Sequence, residues 1–162
     1  MNYQIGFLID SKITHTSVVI IKDYSWWVDL IKNIGNVANN FEIRCWEGES
    51  DAIEVGMRYG NLISNLTTSE LVYKGKITDE FLGEITSSYL TDKHSIKWFT
   101  LILYIDDTSL FSSEHYGSEP HLYNIPKEQI QQIKSWAANY PCIMRVDVYE
   151  YNGDNNENTV IS

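Results

Sequence analysis

Trp98-Phe-Thr-Leu-Ile-Leu-Tyr-Ile105 is the most continuous apolar run in the chain, broken only by Thr100. Its length is that of a strand rather than of a buried helix, so the segment is expected to form the middle of a β-sheet. Upstream, Phe41-Glu-Ile-Arg-Cys-Trp46 alternates, with Phe41, Ile43 and Cys45 on one face and Glu42, Arg44 and Trp46 on the other, the period of a second strand. Residues 70–77 and 142–151 read as further strands, and residues 7–9 and 13–21 as a pair joined by a hairpin turn at Asp10-Ser11-Lys12.

Between these runs the apolar period changes to that of a helix. Trp26, Trp27, Leu30, Ile31, Ile34 and Val37 form one stripe, with Asp23 or Ser25 available to cap it. A second helix starts at Ser50 and Asp51, where Asp51 and Glu54 have capping-box spacing, and Gly56 and Gly60 weaken it. Thr78 caps a third, buried through Phe81, Leu82, Ile85 and Tyr89. Pro126 opens a fourth, carrying Ile130, Ile133, Trp136, Ala137 and Tyr140. The polar residues 106–120 are expected to be a long loop. The expected fold is therefore α+β or α/β, a single domain over residues 1–151 with a mixed sheet of about six strands and four packed helices. An Asn-rich tail over 152–162 is expected to be disordered.

The chain has 162 residues, 22 Asp and Glu against 12 Lys and Arg, and a formal net charge of -10. A nucleic-acid or anionic-membrane binder draws its affinity from clustered Lys and Arg, and the longest basic feature here is Lys74-Gly75-Lys76, so neither partner is expected. The acidity is local. Glu42, Glu47, Glu49, Asp51 and Glu54 face only Arg44 over residues 42–57, and Asp106, Asp107, Glu114 and Glu119 face no base over residues 99–126. Both blocks contain aromatic residues, Trp46 in the first and Phe111, Tyr116 and Tyr123 in the second. An aromatic side chain bordered by charge suits a binding anchor. The partner-binding candidates are accordingly Trp46, Glu47, Glu49, Asp51, Glu54, Asp106, Asp107, Glu114, Tyr116 and Glu119.

Cys45 and Cys142 each lie in a strand-like run, are expected to be buried, and fit a reducing compartment. The amino terminus has no basic region followed by a long apolar run, so no signal peptide is expected. No apolar stretch approaches the roughly 20 residues of a membrane span. Asn65-Leu66-Thr67 has the form of a glycosylation acceptor, which matters only in a secreted chain. Asp106, Asp107, His115 and His121, with Glu114 and Glu119 nearby, offer metal-ligand chemistry, but their spacing matches no ligand motif and a solvated loop is expected instead. There is no Gly-x-Ser-x-Gly elbow, no glycine-rich phosphate loop and no cysteine beside a histidine. His15 and His94 stand without partners, and no cofactor is expected.

Two stretches carry a resemblance: Phe41-Glu-Ile-Arg-Cys-Trp-Glu-Gly-Glu-Ser-Asp-Ala-Ile-Glu-Val-Gly-Met-Arg-Tyr-Gly60 and Tyr73-Lys-Gly-Lys-Ile-Thr-Asp-Glu-Phe-Leu-Gly-Glu-Ile85. A strand ending in Cys-Trp, an acidic turn and a helix ending in Tyr-Gly resemble the small acidic immunity proteins of bacterial polymorphic-toxin systems. The resemblance implies a cytoplasmic protein that binds and blocks a toxin domain made by the same cell, without catalysis or cofactor. These proteins share no functional residues, so none transfers to positions here. Two further classes stay open: a metal-dependent hydrolase using residues 106–121, and a small-ligand or regulatory α+β domain, which an enclosed apolar pocket would favour.

Overall fold

The structure is a computed structural model that describes residues 2–13, 19–63, 69–151 and 159–161. In chain order the elements are β1 (Asn2–Ile9), β2 (Ser11–Ile13), β3 (Val19–Ile21), α1 (Ser25–Gly35), β4 (Asn40–Trp46), α2 (Ser50–Tyr59), β5 (Asn61–Leu62), β6 (Glu70–Lys76), α3 (Asp79–Ser87), β7 (Thr100–Ile105), β8 (Thr108–Glu114), β9 (Glu119–Pro126), α4 (Ile130–Ala137), β10 (Ile143–Tyr151) and β11 (Thr159–Ile161). Nine strands form one sheet in the order β11-β10-β1-β9-β8-β7-β4-β6-β5, and β2 and β3 make a separate ribbon. Every pairing is antiparallel. The fold is thus α+β, and the expectation of a mixed sheet of about six strands is corrected to a larger, antiparallel one. β7, the apolar run, lies between β4 and β8 near the sheet's middle, as its composition requires.

All four helices pack on one face of this sheet. Phe41 stacks on Phe81 of α3 at 3.8 Å, Phe111 meets Trp27 of α1 at 6.1 Å, and Phe7 meets Trp136 of α4 at 5.9 Å. A Cβ at Gly56 would come within 2.4 Å of the Tyr73 ring, so α2 approaches β6 as closely as it does only because that residue is glycine. Phe41, Ile43 and Cys45 are buried beneath the helices, while Glu42, Arg44 and Trp46 point to the face that no described helix covers.

The structure departs from the sequence expectations in five places. β1 does not form a hairpin with the following strand across Asp10-Ser11-Lys12. It is a central strand between β9 and β10, whereas β2 pairs with β3. Residues 106–120 are not a loop: Asp106-Asp107 is the tight turn of the β7–β8 hairpin, and β8 and β9 follow. Asp106 takes a left-handed φ of 50°, which Asp tolerates, and the Asn39 side chain holds it by accepting from the Asp106 N–H at 2.8 Å and donating to its carboxylate at 2.9 Å. β8 evaded reading because Ser112 and Ser113 are buried at positions where apolar side chains are counted. Pro126 ends β9 rather than opening α4. Asp51 and Glu54 form no capping box; Glu49 stands before α2 and its carboxylate accepts from the Trp46 N–H at 2.9 Å. In the tail, residues 159–161 pair with β10, and 152–158 lie outside the described residues, as do His15 and Asn65-Leu66-Thr67.

Thr78 caps α3 as its sequence indicates, its Oγ1 accepting from the Phe81 N–H at 3.2 Å. Thr78→Ala is expected to cost about 1 kcal/mol in thermal or denaturant unfolding, with Thr78→Ser close to the parent.

Candidate functional site

At one end of the sheet, β4 ends, β7 and β9 begin, and β8 ends, so segments far apart in sequence meet. The register sets Arg44 opposite Thr100, Leu101 opposite Ser113, and Glu114 opposite Glu119. Trp46, 40% exposed, lies at this edge with its ring 5.3 Å from Phe99, and Phe99 in turn meets His115 at 4.9 Å and Tyr116 at 5.4 Å.

The β8–β9 connection has an unusual backbone. His115, Tyr116 and Gly117 have φ values of 47°, 58° and 89°, three successive left-handed residues of which only the last is glycine. Such conformations cost on the order of 1 kcal/mol or more each in ordinary residues. Here the surroundings hold them: the Tyr116 N–H donates to the Phe99 carbonyl at 3.1 Å, and Tyr24 donates to the Tyr116 carbonyl at 3.1 Å. The Tyr116 hydroxyl donates to Glu49 at 2.5 Å, which ties this turn to the acidic turn after β4. Burial and the adjacent Glu49 carboxylate push the Tyr116 hydroxyl well above its ordinary value.

Glu49, Asp51, Asp92, Lys93, Lys97 and Tyr116 line an open cleft of about 360 Å³ beside Trp46. Lys97 is engaged with Glu84 at 2.9 Å. Glu47 is exposed in the turn after β4, and Glu70, the first residue of β6, is the cross-strand partner of Trp46. Of the candidates taken from the sequence, Trp46, Glu47, Glu49, Asp51, Glu114, Tyr116 and Glu119 therefore share this end of the sheet. Glu54 lies farther along α2 in an ion pair with Arg58. Asp106 and Asp107 are at the opposite end, near Lys74 and Lys76. The second acidic block is thus split by the length of β8, and half of it joins the first. Phe99, Glu70 and Asp92 belong to the site but were not singled out from the sequence. Glu70 is placed by the β4–β6 register, and Phe99 and Asp92 by the segments leading into β7, none of which local composition carries.

Glu42, counted among the acidic residues of the first block, contributes no free charge. It is 2% exposed, accepts from Arg44 at 2.5 Å and from the Tyr104 hydroxyl at 3.2 Å, and pairs with Lys74 at 3.0 Å. Burial raises its pKa, but the Lys74 and Arg44 bonds and charges outweigh that and hold it below the usual carboxylate range.

The metal-ligating residues of 106–121, which left a hydrolase open as the alternative to a solvated loop, do not all assemble as one site, because Asp106 and Asp107 lie at the far end of the hairpin from Glu114 and His115. Cys45 and Cys142 are free and buried, and burial pushes the Cys45 thiol up to about 12, away from nucleophile chemistry. A depression of about 580 Å³ between α1 and α4, with Leu30, Ile34, Leu122 and Ile133 in its walls, is an open groove and not the enclosed pocket that a small-ligand domain would favour. No family model, curated protein or solved structure matches this chain.

Proposed function

We propose that this chain is a non-catalytic binding protein, an immunity protein that neutralises a cognate bacterial toxin by docking its basic surface on the acidic, aromatic-containing end of the sheet. The observation that carries the reading is the meeting of Glu47, Glu49 and Asp51 with Glu114 and Glu119 around the exposed Trp46. Grouped carboxylates steer a positively charged partner to the surface and raise its association rate, while a partly exposed Trp on a rigid sheet supplies apolar contact with little ordering cost. The left-handed turn and the Tyr116–Glu49 bond support the same reading, since they fix that surface before any partner arrives. An anionic end of this kind also suits a toxin whose basic face normally receives phosphates.

The test is titration calorimetry of the purified chain against the terminal domain of the toxin encoded beside it. Trp46→Ala is expected to weaken binding at least about tenfold, the scale of a central aromatic anchor. Paired reversal of Asp106 and Asp107 to Lys, at the other end of the sheet, is expected to change it less than about twofold. Absence of binding, or equal affinity for the Trp46 variant, contradicts the reading.

A further inference from the structure

We propose that Glu114, His115 and Glu119 form a site for a divalent transition metal of the zinc class, which needs no docking partner although Glu114 and Glu119 also belong to the acidic docking surface. One ligand atom from each of the three lies within 4.8 Å of the others. Two carboxylates and an imidazole nitrogen are suitable zinc ligands, and the nitrogen favours such metals over calcium or magnesium.

Two independent features point to a cation here. The first is the strand register. Glu114 and Glu119 are direct cross-strand partners, so their side chains leave the same face of adjacent strands. Like charges placed directly opposite are destabilising, and among the described residues no lysine or arginine forms an ion pair with either carboxylate. The pair is a standing repulsion that a bound dication would reverse.

The second is His115. Its side chain is 44% exposed, but the Nδ1 atom itself is shielded and makes no hydrogen bond among the described residues, although Glu119 Oε2 is only 3.2 Å away. The contact has the distance of an ion pair but not the alignment of a hydrogen bond. Two ligands held at about 2.0–2.1 Å from one zinc ion at a tetrahedral angle are about 3.3 Å apart. The separation therefore fits two atoms facing a common ion. Phe99, edge-on to the imidazole at 4.9 Å, and the left-handed backbone at His115 set the ring's direction. Residues 106–121 were expected to solvate these groups separately in a loop; the β8–β9 pairing instead brings ligand atoms of three of these residues within 4.8 Å of one another. Three protein ligands leave a coordination position for water.

The experiment uses the full chain alone, stripped with chelator, so its result does not depend on any toxin. Titration with zinc chloride is expected to give one equivalent bound, and cobalt to give the visible absorption of a low-coordinate complex. Loss of even an outer-shell partner costs metal sites about 10–100-fold in affinity. His115→Gln and Glu119→Gln are each expected to lower zinc affinity at least about tenfold. Metal-free Glu119→Gln is expected to melt no lower than the parent, because it removes the like-charge pair, and this keeps the test valid if the His115 variant folds poorly. A double variant, Cys45→Ala with Cys142→Ala, is expected to bind as the parent does. No stoichiometric zinc binding by the parent, or undiminished binding by both Gln variants, would overturn the proposal.

Discussion

Trp27→Ala is expected to lower the unfolding free energy by about 4 kcal/mol, a large share of the roughly 5–15 kcal/mol that holds a typical domain. Trp27 is fully buried and central to the aromatic cluster: Trp26 at 5.7 Å, Tyr89 at 5.8 Å, Phe111 at 6.1 Å and Trp98 at 6.3 Å. Its indole N–H donates to the Ile85 carbonyl at 2.8 Å, satisfying an acceptor in the last turn of α3 and joining α1 to α3. The indole N–H groups of Trp26 and Trp98, equally buried, have no such partner among the described residues. Truncation at Trp27 therefore opens a cavity and also leaves a buried carbonyl unpaired. Trp27→Phe retains most of the ring contacts and is expected to lose about half as much. Denaturant unfolding of both variants decides the matter; a loss below about 1 kcal/mol for the alanine would show that the cluster is not the centre of the core.

Glu42→Gln is expected to cost about 2–3 kcal/mol near neutral pH. Removing one member of a buried ion pair typically costs about 3–5 kcal/mol, and the lower figure reflects Lys74 and Arg44, whose side chains are 52% and 41% exposed and can be partly re-solvated. The pH dependence has a definite sign. The carboxyl titrates lower in the folded chain than in the unfolded one, where its pKa is about 4.3. Its stabilisation is thus complete above the unfolded value and is lost as pH falls through the folded one. The difference in stability between parent and Glu42→Gln should shrink as pH is lowered from 7 into the acid range. A constant or widening difference would mean that the charge is not what holds Arg44, Lys74 and Tyr104.

What the sequence disclosed follows from which forces are local. The four helices were legible because each carries its own apolar stripe, and in α3 its own cap at Thr78. β4, β6, β7 and β10 were legible from alternation or from uninterrupted apolar character. β1 was misassigned a hairpin partner because its true neighbours, β9 and β10, come from the other end of the chain, and nothing within residues 1–21 records that pairing. β8 and the first residues of β9 were read as loop because they are rich in hydroxyls and charge, which mimics a turn.

The same limit governed the site. Trp46, Glu47, Glu49 and Asp51 were found because they are adjacent in sequence. Asp106 and Asp107 were grouped with Glu114 and Glu119 for the same reason, yet the seven residues of β8, at about 3.3 Å each, carry the two pairs to opposite ends of the sheet. Tyr116 was chosen for its acidic neighbours in sequence, whereas its hydrogen-bond partner is Glu49, far away along the chain.

The central claim is that carboxylates at one end of the sheet steer a basic protein onto Trp46. Stopped-flow association with the neighbouring toxin domain, measured across ionic strength, tests it most directly. Fast association that slows steeply with added salt is expected, with a slower, nearly salt-independent rate for the chain carrying Glu47→Lys, Asp51→Lys, Glu114→Lys and Glu119→Lys. An unchanged rate and salt dependence in that variant, or a greater effect from reversing Asp106 and Asp107, would contradict it.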